Sequence, residues 1–370
     1  MHQLAQQIVE RVAAKASQLH DPLLGQLLAA SADGRGKLLR LSARRLVLKH
    51  ELDGVSWVFK IDSPQRSFER LRGRLRQPSL LREADHLREL GLKLSAMPME
   101  IHAEQLDAAN GMLARPWVEG RCGDSWNLAD AAAVGKGLAL LHQLGWSDPD
   151  LAPADLLLDD KAQLLPLDLG HALLHEGRPT PDKARFRDLQ RLLGGWSEQQ
   201  RVTLGTAILE IYRQQQNCPP TEQMLHDAQT WRLEILRRQS RRCLRRTRDF
   251  SPTDNGVKRV EDLPAGLPQR FSCSNEAAAK RLFRLLYELE LLQLPAVRVL
   301  QFGKDLQQAF VEVAIPQVRQ ATDADGEAIQ HLMTAINNNG FALDDAKPLQ
   351  FLIDEDGLAV LAEPANLRRS

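Results

Sequence analysis

Three aspartates near the middle of the chain constrain its fold and chemistry more than any other feature. Asp150 and Asp155 are five residues apart, and Asp168 follows them in the segment Leu167-Asp168-Leu169-Gly170. The apolar run Leu156-Leu157-Leu158 between the last two predicts a short strand. Carboxylates together with substrate phosphates are the usual surroundings of protein-bound Mg²⁺. This spacing therefore predicts a site for magnesium and phosphate.

Composition describes an ordinary globular protein without a strong overall electrostatic field. The 370 residues exceed the size of a typical single domain, so we expect two domains. Hydrophobic residues make up 43% and charged residues 26%, and 48 Lys and Arg balance 48 Asp and Glu. Any preference for a polyanionic partner must therefore be local.

Cysteine usage and the N-terminal segment indicate a cytoplasmic protein. No two cysteines form a Cys-x-x-Cys pair, which argues against a zinc site or a disulfide framework and favours a reducing compartment. Residues 1–21 carry Glu10, Arg11 and Lys15 within an apolar pattern, unlike a signal peptide or a membrane span. The four cysteines are Cys122, Cys218, Cys243 and Cys273.

A predicted hairpin places one lysine at the end of an apolar strand. Residues 46–48 and 55–61 are apolar and flank Asp53-Gly54, which predicts two strands joined by a tight turn. Lys60 lies late in the second strand. The lysine that contacts nucleotide phosphates in protein kinases has such a position, and a lysine reaching solvent from a strand end is the alternative.

The segment after this hairpin predicts a helix with a carboxylate that suits Lys60. Residues 80–91 have helical periodicity and end at a glycine, and Glu83 is one turn from the start. An ion pair between Glu83 and Lys60 would hold the ammonium group against a phosphate. Glu89 is the competing partner, and an exposed helix glutamate is the alternative for both.

Five arginines lie between the hairpin and this helix, next to the predicted nucleotide cleft. Arginine donors fit phosphate or carboxylate groups, so these residues are candidates for binding an anionic substrate. A solvated basic face is the alternative. They are Arg66, Arg70, Arg72, Arg74 and Arg76.

The remaining segments before residue 245 predict an α+β fold with two lobes. Residues 112–118 predict a strand, and residues 128–144 predict a helix that leads to the aspartates. His142 in that helix is expected on a helix face rather than in catalysis. Further amphipathic helices follow. We expect a small β-rich N-lobe at about 30–118 and a helical C-lobe at about 119–245.

The protein-kinase pattern accounts for the spacing of the three aspartates. In that pattern one Asp faces the acceptor hydroxyl, a residue five positions later binds metal, and a second Asp after a strand bridges metal and phosphates. Asp150, Asp155 and Asp168 have these spacings. We therefore predict a protein-kinase-like fold for residues 1–245.

A final long helix, predicted at 221–248, is rich in arginine. A basic amphipathic helix binds anionic membrane surfaces or nucleic acid, and packing on acidic neighbours is the alternative. Because no aromatic residues interleave with the arginines, nucleic-acid binding is not expected. The arginines are Arg232, Arg237, Arg238, Arg241, Arg242, Arg245, Arg246 and Arg248.

The chain contains a weak internal repeat at an offset of 195 residues. Residues 345–357 match residues 150–162, and the preceding helices match too. Gln350 and Glu363 take the places of Asp155 and Asp168 under this offset, so most of the metal chemistry is lost. We therefore predict a truncated, degenerate kinase-like copy at residues 246–370.

These motifs resemble the bacterial lipopolysaccharide core kinase family, Kdo/WaaP or InaA-like, of the protein-kinase-like superfamily. The resemblance covers about residues 35–245, and its specificity lies in the order and spacing of short motifs. The motifs are Val58-Phe59-Lys60, Glu83 with Leu87, Leu90 and Gly91, the loop Asp150 to Asp159, Leu167-Asp168-Leu169-Gly170, and Phe186-Arg187-Asp188-Leu189 with Tyr212.

The resemblance implies ATP- and Mg²⁺-dependent phosphoryl transfer to a sugar hydroxyl of a glycolipid at the cytoplasmic side of the inner membrane. It implies that Asp150 orients or deprotonates the acceptor hydroxyl and that Asp155 and Asp168 hold magnesium. Lys60, paired with Glu83, would bind the nucleotide phosphates.

The chain departs from the family pattern at three points. Asp148 stands where the motif has His, Asp155 stands where it has Asn, and no glycine-rich turn is apparent beyond Gly34 and Gly36. Two functions therefore remain open. One is an active phosphotransferase, and the other is an inactive pseudokinase that serves as a scaffold or regulator in lipopolysaccharide assembly.

Overall fold

The computed structural model divides into two compact units. Unit 1 is Met1–Gln229 and unit 2 is Thr230–Ser370, so the division falls within the helix Thr221–Arg242. The domain boundary at about residue 245 stays a prediction. The five arginines between 66 and 76 lie outside the described residues, as do Arg246, Arg248 and Asp345. The described residues are 3–42, 45–63, 79–95, 97–107, 110–175, 177–245, 247, 249–260, 267–305, 308–316, 318–344, 346–364 and 366–369.

Unit 1 begins with helices and an antiparallel sheet. The elements are α1 (Gln3–Ala13), α2 (Pro22–Ala32), β1 (Lys37–Leu41), β2 (Arg45–Leu52), β3 (Val55–Asp62), α3 (Ser79–Gly91), β4 (His102–Gln105) and β5 (Gly111–Pro116). The sheet order is β1-β2-β3-β5-β4. Asp21 caps α2 by accepting hydrogen bonds from the N–H groups of Leu23 and Leu24. Asp53 and Gly54 have positive φ, as a two-residue hairpin turn requires, so the predicted hairpin is confirmed.

The two faces of this sheet contact different parts of unit 1. Phe59 of β3 packs in a buried cluster with Ile8 of α1 and Leu28 of α2. Side chains alternate along a strand, so Lys60 lies on the opposite face. Its neighbour there is Leu113, which is directly opposite it on β5. Helix α3 packs against β4 and β5, and this brings its carboxylates toward Lys60.

The second part of unit 1 is mainly helical. Its elements are β6 (Gly120–Cys122), α4 (Ala131–Gln143), β7 (Trp146–Ser147), β8 (Leu156–Asp159), β9 (Leu164–Pro166), β10 (Leu173–Leu174), α5 (Asp182–Gly195), the helical turns Glu198–Gln200 and Arg201–Gly205, α6 (Thr206–Arg213) and α7 (Thr221–Arg242). Gly145 ends α4 with φ +84°, and a Cβ there would lie 2.5 Å from the carbonyl oxygen of His175. A β-rich first part and a helical second part confirm the expected α+β class. No helix among the described residues is long and apolar enough to cross a membrane.

Unit 2 also contains a five-stranded antiparallel sheet, together with helices and shorter strands. The elements are β11 (Phe250–Thr253), β12 (Gly256–Arg259), β13 (Leu267–Cys273), α8 (Glu276–Leu291), β14 (Arg298–Lys304), β15 (Ala309–Ile315), β16 (Arg319–Gln320), α9 (Gly326–Asn338), β17 (Phe341–Leu343), β18 (Phe351–Ile353), β19 (Ala359–Leu361) and β20 (Leu367–Arg369). The sheet order is β11-β12-β14-β15-β13. The strand before the helix, β13, is thus at the edge, whereas the corresponding β3 of unit 1 is central.

Several elements of the two units recur at the 195-residue offset. The Asp155 side chain accepts a hydrogen bond from the N–H of Ala152 at 2.9 Å, and Gln350 accepts the same bond from Lys347 at 2.8 Å. That unit 2 is a degenerate kinase-like copy stays a prediction, because its strand order differs. The recurring pairs are α4 and α9, Pro153–Asp155 and Pro348–Gln350, β8 and β18, and β9 and β19.

Candidate active site

Lys60 and Glu83 form a buried ion pair on the inner face of the sheet. The Nζ of Lys60 contacts Oε1 of Glu83, and the two side chains are 7% and 0% exposed. Glu89, the competing partner, forms a surface pair with Lys93 at 2.8 Å. The predicted pair is therefore present and involves Glu83. Its role toward a nucleotide stays a prediction.

Asp168 lies after β9 in a strongly cationic environment. Its Oδ1 accepts a hydrogen bond from the N–H of Gly170 at 3.2 Å, and its Oδ2 is 3.7 Å from a guanidinium nitrogen of Arg45. Burial by itself would raise the pKa of Asp168, but Lys60 and Arg45 outweigh it and lower the pKa to about 2. Asp168 is therefore ionised at neutral pH.

Asp148 and Asp155 lie in a less favourable environment for charge. Burial raises the pKa of Asp148 to about 7, and the carboxylates of Asp155 and Asp188 add to the increase. Burial also raises the pKa of Asp155 to about 6, with a further contribution from Asp168. A bound cation would favour the ionised forms of both groups.

Asp150 is the most exposed of the three aspartates, with 70% of its side chain accessible. Its Oδ1 accepts a hydrogen bond from Nη1 of Arg191 on α5 at 3.1 Å. Its backbone N–H donates to Asp148 Oδ1 at 2.7 Å, which fixes the turn of the loop. Asp150 is thus held by its neighbours and open to solvent.

The three aspartates predicted from sequence line one cavity of about 310 Å³. Lys60 does not line it, but the charge of Lys60 influences the pKa of both Asp155 and Asp168. The structure therefore brings the predicted residues into one region of unit 1. The cavity is lined by Arg40, Ser42, Arg45, Asp148, Asp150, Asp155, Asp168 and His171.

Asp188 anchors the loop that carries Asp150, and no role was predicted for it. It is fully buried on α5, and its Oδ2 accepts a hydrogen bond from the backbone N–H of Asp148 at 3.1 Å. His142 is also fully buried. Its Nδ1 is 2.7 Å from the hydroxyl of Tyr212 and its Nε2 is 3.6 Å from Oδ2 of Asp188, so it lies in the core and does not line the cavity.

Arginines 45 and 115 are further charged residues that sequence reasoning missed. Arg115 is 5% exposed and lies opposite Val58, on the same sheet face as Lys60. Burial lowers the pKa of Arg115, while Glu83 and Asp168 act in the opposite direction. The placement of Arg115 depends on pairing between β3 and β5, and that of Arg45 beside Asp168 on a contact between distant segments, neither of which a short motif reports.

The acidic residues fit a magnesium ion held jointly with a phosphate ligand. Among the described residues, no group of three or more His, Cys, Asp or Glu side chains is arranged to hold a metal by itself. Asp155 and Asp168 nevertheless line the same cavity. Mg²⁺ is commonly bound by one or two carboxylates together with substrate phosphates, so two carboxylates suffice here.

The architecture and the ion pair decide the fold of unit 1. A five-stranded sheet has its helix α3 after the third strand, and Glu83 of that helix pairs with Lys60 of β3. A helical part follows, with the aspartates in the loops after α4 and β9. Unit 1 has the protein-kinase-like fold. The fold expected from the sequence is thereby confirmed for this unit.

Comparisons with known proteins give similar structures but no related sequence. No protein-family model and no curated protein matches the chain. WaaP in complex with acyl carrier protein is 18% identical over 54% of this chain and 87% of its own, with a TM-score of 0.36. Aminoglycoside-3'-phosphotransferase of type VIII is 15% identical over 56% and 97%, with a TM-score of 0.39. Spectinomycin phosphotransferase with ADP and spectinomycin is 11% identical over 56% and 82%, with a TM-score of 0.39.

Proposed function

We propose that unit 1 is an ATP- and Mg²⁺-dependent phosphotransferase that acts on a sugar hydroxyl of lipopolysaccharide core or a similar glycolipid. The observation that carries this proposal is the buried Lys60–Glu83 pair beside a cavity lined by Asp150, Asp155 and Asp168. Phosphoryl transfer depends mainly on positioning and electrostatic stabilisation, which such a set of charges supplies.

Each residue has a distinct role in the proposed reaction. Lys60, held by Glu83, binds the nucleotide phosphates, and Asp155 and Asp168 hold magnesium. When bound, magnesium supplies positive charge to the phosphate oxygens. Asp150 orients the acceptor hydroxyl and takes its proton at Oδ2, the oxygen other than the one that accepts from Arg191.

Both the exposure of Asp150 and the similar proteins support a small acceptor. Asp150 is open to solvent, whereas Asp148 behind it is 3% exposed, so an acceptor approaches from the Asp150 side. The spectinomycin phosphotransferase was crystallised with ADP and its antibiotic. For this chain, a sugar hydroxyl of a glycolipid on the cytoplasmic side of the inner membrane is the proposed acceptor.

An inactive pseudokinase is the second candidate function, and the same cavity supplies the observation that favours it. With a pKa of about 7, Asp148 is only partly ionised at neutral pH, and burial also raises the pKa of Asp155, to about 6. Arg45 also lies 3.7 Å from Asp168, where its positive charge competes with a metal. In this role unit 1 binds a partner or a nucleotide in lipopolysaccharide assembly without turnover.

Thermal unfolding with ATP, with and without Mg²⁺, distinguishes these candidates. For the enzyme we expect ATP with Mg²⁺ to raise the unfolding temperature, and Asp168→Ala to abolish the effect. Asp160→Ala is the matched control, because Asp160 is an exposed loop carboxylate outside the cavity. ATP consumption that depends on core sugar acceptors would then establish transfer. If no metal-dependent binding of ATP occurs, the phosphotransferase proposal fails.

The arginines of α7 support a proposed contact with an anionic membrane surface. Arg238, Arg241 and Arg242 are exposed near the end of the helix, and Arg245 is exposed just after it. Exposed basic side chains are attracted to anionic lipids, and salt screens this attraction. We expect the protein to sediment with phosphatidylglycerol vesicles, and less of it to do so at high salt. If a variant with these four residues changed to Gln sediments equally, the proposal is wrong.

A further inference from the structure

The turn between β1 and β2 lacks the glycines that usually surround nucleotide phosphates in this fold. In protein kinases a glycine-rich turn covers the phosphates. Here the sequence from β1 to β2 is Leu41-Ser42-Ala43-Arg44-Arg45, of which residues 43 and 44 lie outside the described residues. The phosphates therefore need other donors in the proposed phosphotransferase.

Arg45, the first residue of β2, is fixed by two polar neighbours. Its Nε and Nη2 donate to the two carboxylate oxygens of Asp62 at 2.6 and 3.0 Å. Nη2 also donates to Oγ of Ser79 at 2.8 Å, and that hydroxyl donates to Asp62 at 2.7 Å. The side chain is 12% exposed. A planar guanidinium held at two corners has little conformational freedom left to lose on binding.

The third nitrogen of Arg45 points into the cavity. Nη1 is 3.7 Å from Oδ2 of Asp168, which is too long for a direct hydrogen bond. Arg40 lines the same cavity from β1. The cavity therefore has two arginines on the sheet side, and Asp148, Asp155 and Asp168 on the opposite side.

A phosphate group is the ligand chemistry that this arrangement fits. Guanidinium donors bind phosphate oxygens strongly, whereas the carboxylates repel an anion unless cations accompany it. A purely structural role for Arg45 accounts for its contact with Asp62. It does not account for the remaining nitrogen beside Asp168 or for Arg40 in the same cavity.

We propose that Arg45 and Arg40 bind the terminal phosphates of the nucleotide and so replace a glycine-rich turn with a side-chain clamp. This inference rests on the proposed phosphotransferase function. The clamp contacts phosphate groups and leaves the nucleoside to other residues. Loss of either arginine should therefore weaken the binding of ATP more than the binding of AMP.

Calorimetric titration with ATP, ADP and AMP tests the clamp in the full-length protein, with Mg²⁺ and with EDTA. We expect Arg45→Met and Arg40→Met each to weaken ATP binding about 10- to 100-fold, as expected for one charged hydrogen bond. The affinity for AMP stays unchanged. Arg35→Met is the matched control, because Arg35 is exposed, pairs with Asp33 and does not line the cavity. Arg45→Lys keeps the positive charge but loses the planar guanidinium group. Its affinity for ATP should therefore lie between those of the unaltered protein and Arg45→Met.

The outcomes separate the clamp from the function on which it rests. If the unaltered protein binds ATP and both Met variants keep the same ratio of ATP to AMP affinity, the clamp is wrong and the phosphotransferase proposal stands. If the unaltered protein binds none of the three nucleotides, both proposals fail. If Arg45→Met does not fold because Asp62 loses its partner, the exposed Arg40 still decides the test.

Discussion

Asp148 shows how a single substitution in a motif is accommodated by its surroundings. Its position is occupied by histidine in the family that the sequence resembles. Here the Asp148 carboxylate accepts the N–H of Asp150, and the N–H of Asp148 donates to Asp188. The loop is therefore held by hydrogen bonds from backbone N–H groups to carboxylates. Because the carboxyl group of Asp148 is buried, its pKa is raised to about 7.

Replacing Asp148 with Asn should make the protein less sensitive to high pH. The ordinary pKa of an aspartate is 3.8, and that of Asp148 is raised to about 7 in the folded state. The folded state thus binds the proton more tightly, and this stabilisation is present at low pH and lost as pH rises through 7. Asn keeps an acceptor for the N–H of Asp150 but does not ionise. Each unit of pKa difference between the folded and unfolded states corresponds to about 1.4 kcal/mol in the free energy of unfolding.

Urea unfolding of both proteins at pH 4 and pH 8 measures this effect. We expect Asp148→Asn to gain stability relative to the unaltered protein as pH rises from 4 to 8. Asp160→Asn, in an exposed turn, is the control for a general effect of removing charge. A stability difference that is the same at the two pH values would contradict the assigned burial effect.

Glu83→Gln should destabilise unit 1 because it leaves the Lys60 ammonium group buried without its partner. The cost is roughly 3 kcal/mol, the lower end of the range for breaking a buried pair, since Asp168 still lies near Lys60. Replacing both residues with Met should recover most of this loss, because no buried charge remains. Denaturant unfolding measures the stabilities. Glu89→Gln is the control, as its pair with Lys93 is on the surface.

Comparing the stabilities of these variants tests whether the unpaired charge causes the loss. If the double Met variant is as unstable as Glu83→Gln, the loss does not come from an unpaired charge. Neither Glu83→Gln nor the double Met variant is expected to bind ATP with normal affinity, because both disturb Lys60. Only the double Met variant is therefore expected to be stable and yet to bind ATP weakly.

Some of these residues were within reach of sequence reasoning and others were not. Lys60 and Glu83 lie in a strand and a helix with clear periodicity, so their pairing follows from the order of the elements. Arg45 lies opposite Asp62 in the predicted hairpin, but its contacts with Ser79 and Asp168 join distant segments, and Asp188 acts on a loop 40 residues earlier. Such contacts depend on tertiary register, which one sequence does not report.

At the scale of elements, equivalent helices have opposite surroundings in the two units. Gly135 on α4 is buried against α6, and a Cβ there would lie 2.9 Å from both the carbonyl oxygen of Ile208 and the Cβ of Ile211. The equivalent residue on α9 is Gln330, which is exposed. The small residue in unit 1 therefore permits the two helices to approach closely.

Gly135→Ala should destabilise unit 1 by about 1–2 kcal/mol. Overpacking costs about 1–3 kcal/mol, and this exceeds the gain of up to about 1 kcal/mol from the better helix propensity of Ala. Gln330→Ala at the equivalent position should change stability by less than about 0.5 kcal/mol. Thermal unfolding of both variants measures the difference. A rise in unfolding temperature for Gly135→Ala would show that propensity, not packing, decides at this position.

The repeat also shows what element-level prediction leaves out. The helix, turn and strands that recur at an offset of 195 are local, so the sequence reveals them. The order of the sheet in unit 2 is not local. The position of β13 beside β15 at the sheet edge depends on pairing between residues such as Phe271 and Val311, and the predicted copy did not include this order.

At the scale of the whole molecule, the candidate chemistry is confined to unit 1. All residues of the cavity lie between Arg40 and His171. In unit 2 the equivalents of Asp155 and Asp168 are Gln350 and Glu363, so the acidic pair is not preserved. A nucleotide should therefore stabilise unit 1 alone.

The two units carry different natural reporters for such an experiment. Five of the six tryptophans lie in unit 1, and only Trp231 lies in unit 2. Cys243 and Cys273 are buried in unit 2, at 0% and 9% exposure. Tryptophan fluorescence thus follows mainly unit 1. Thiol labelling follows unit 2 once Cys122 and Cys218 are changed to Ser.

ATP with Mg²⁺ should raise the temperature of the fluorescence transition and leave thiol labelling of unit 2 unchanged. Ligand at 100 times its Kd stabilises the binding unit by about 2.7 kcal/mol, because it binds only the folded form. Asp168→Ala should remove the shift. If labelling of Cys243 and Cys273 moves with the fluorescence transition, unit 2 takes part in binding or unfolds together with unit 1. In the first case the confinement of nucleotide binding to unit 1 is wrong, and in the second case the two units do not unfold independently.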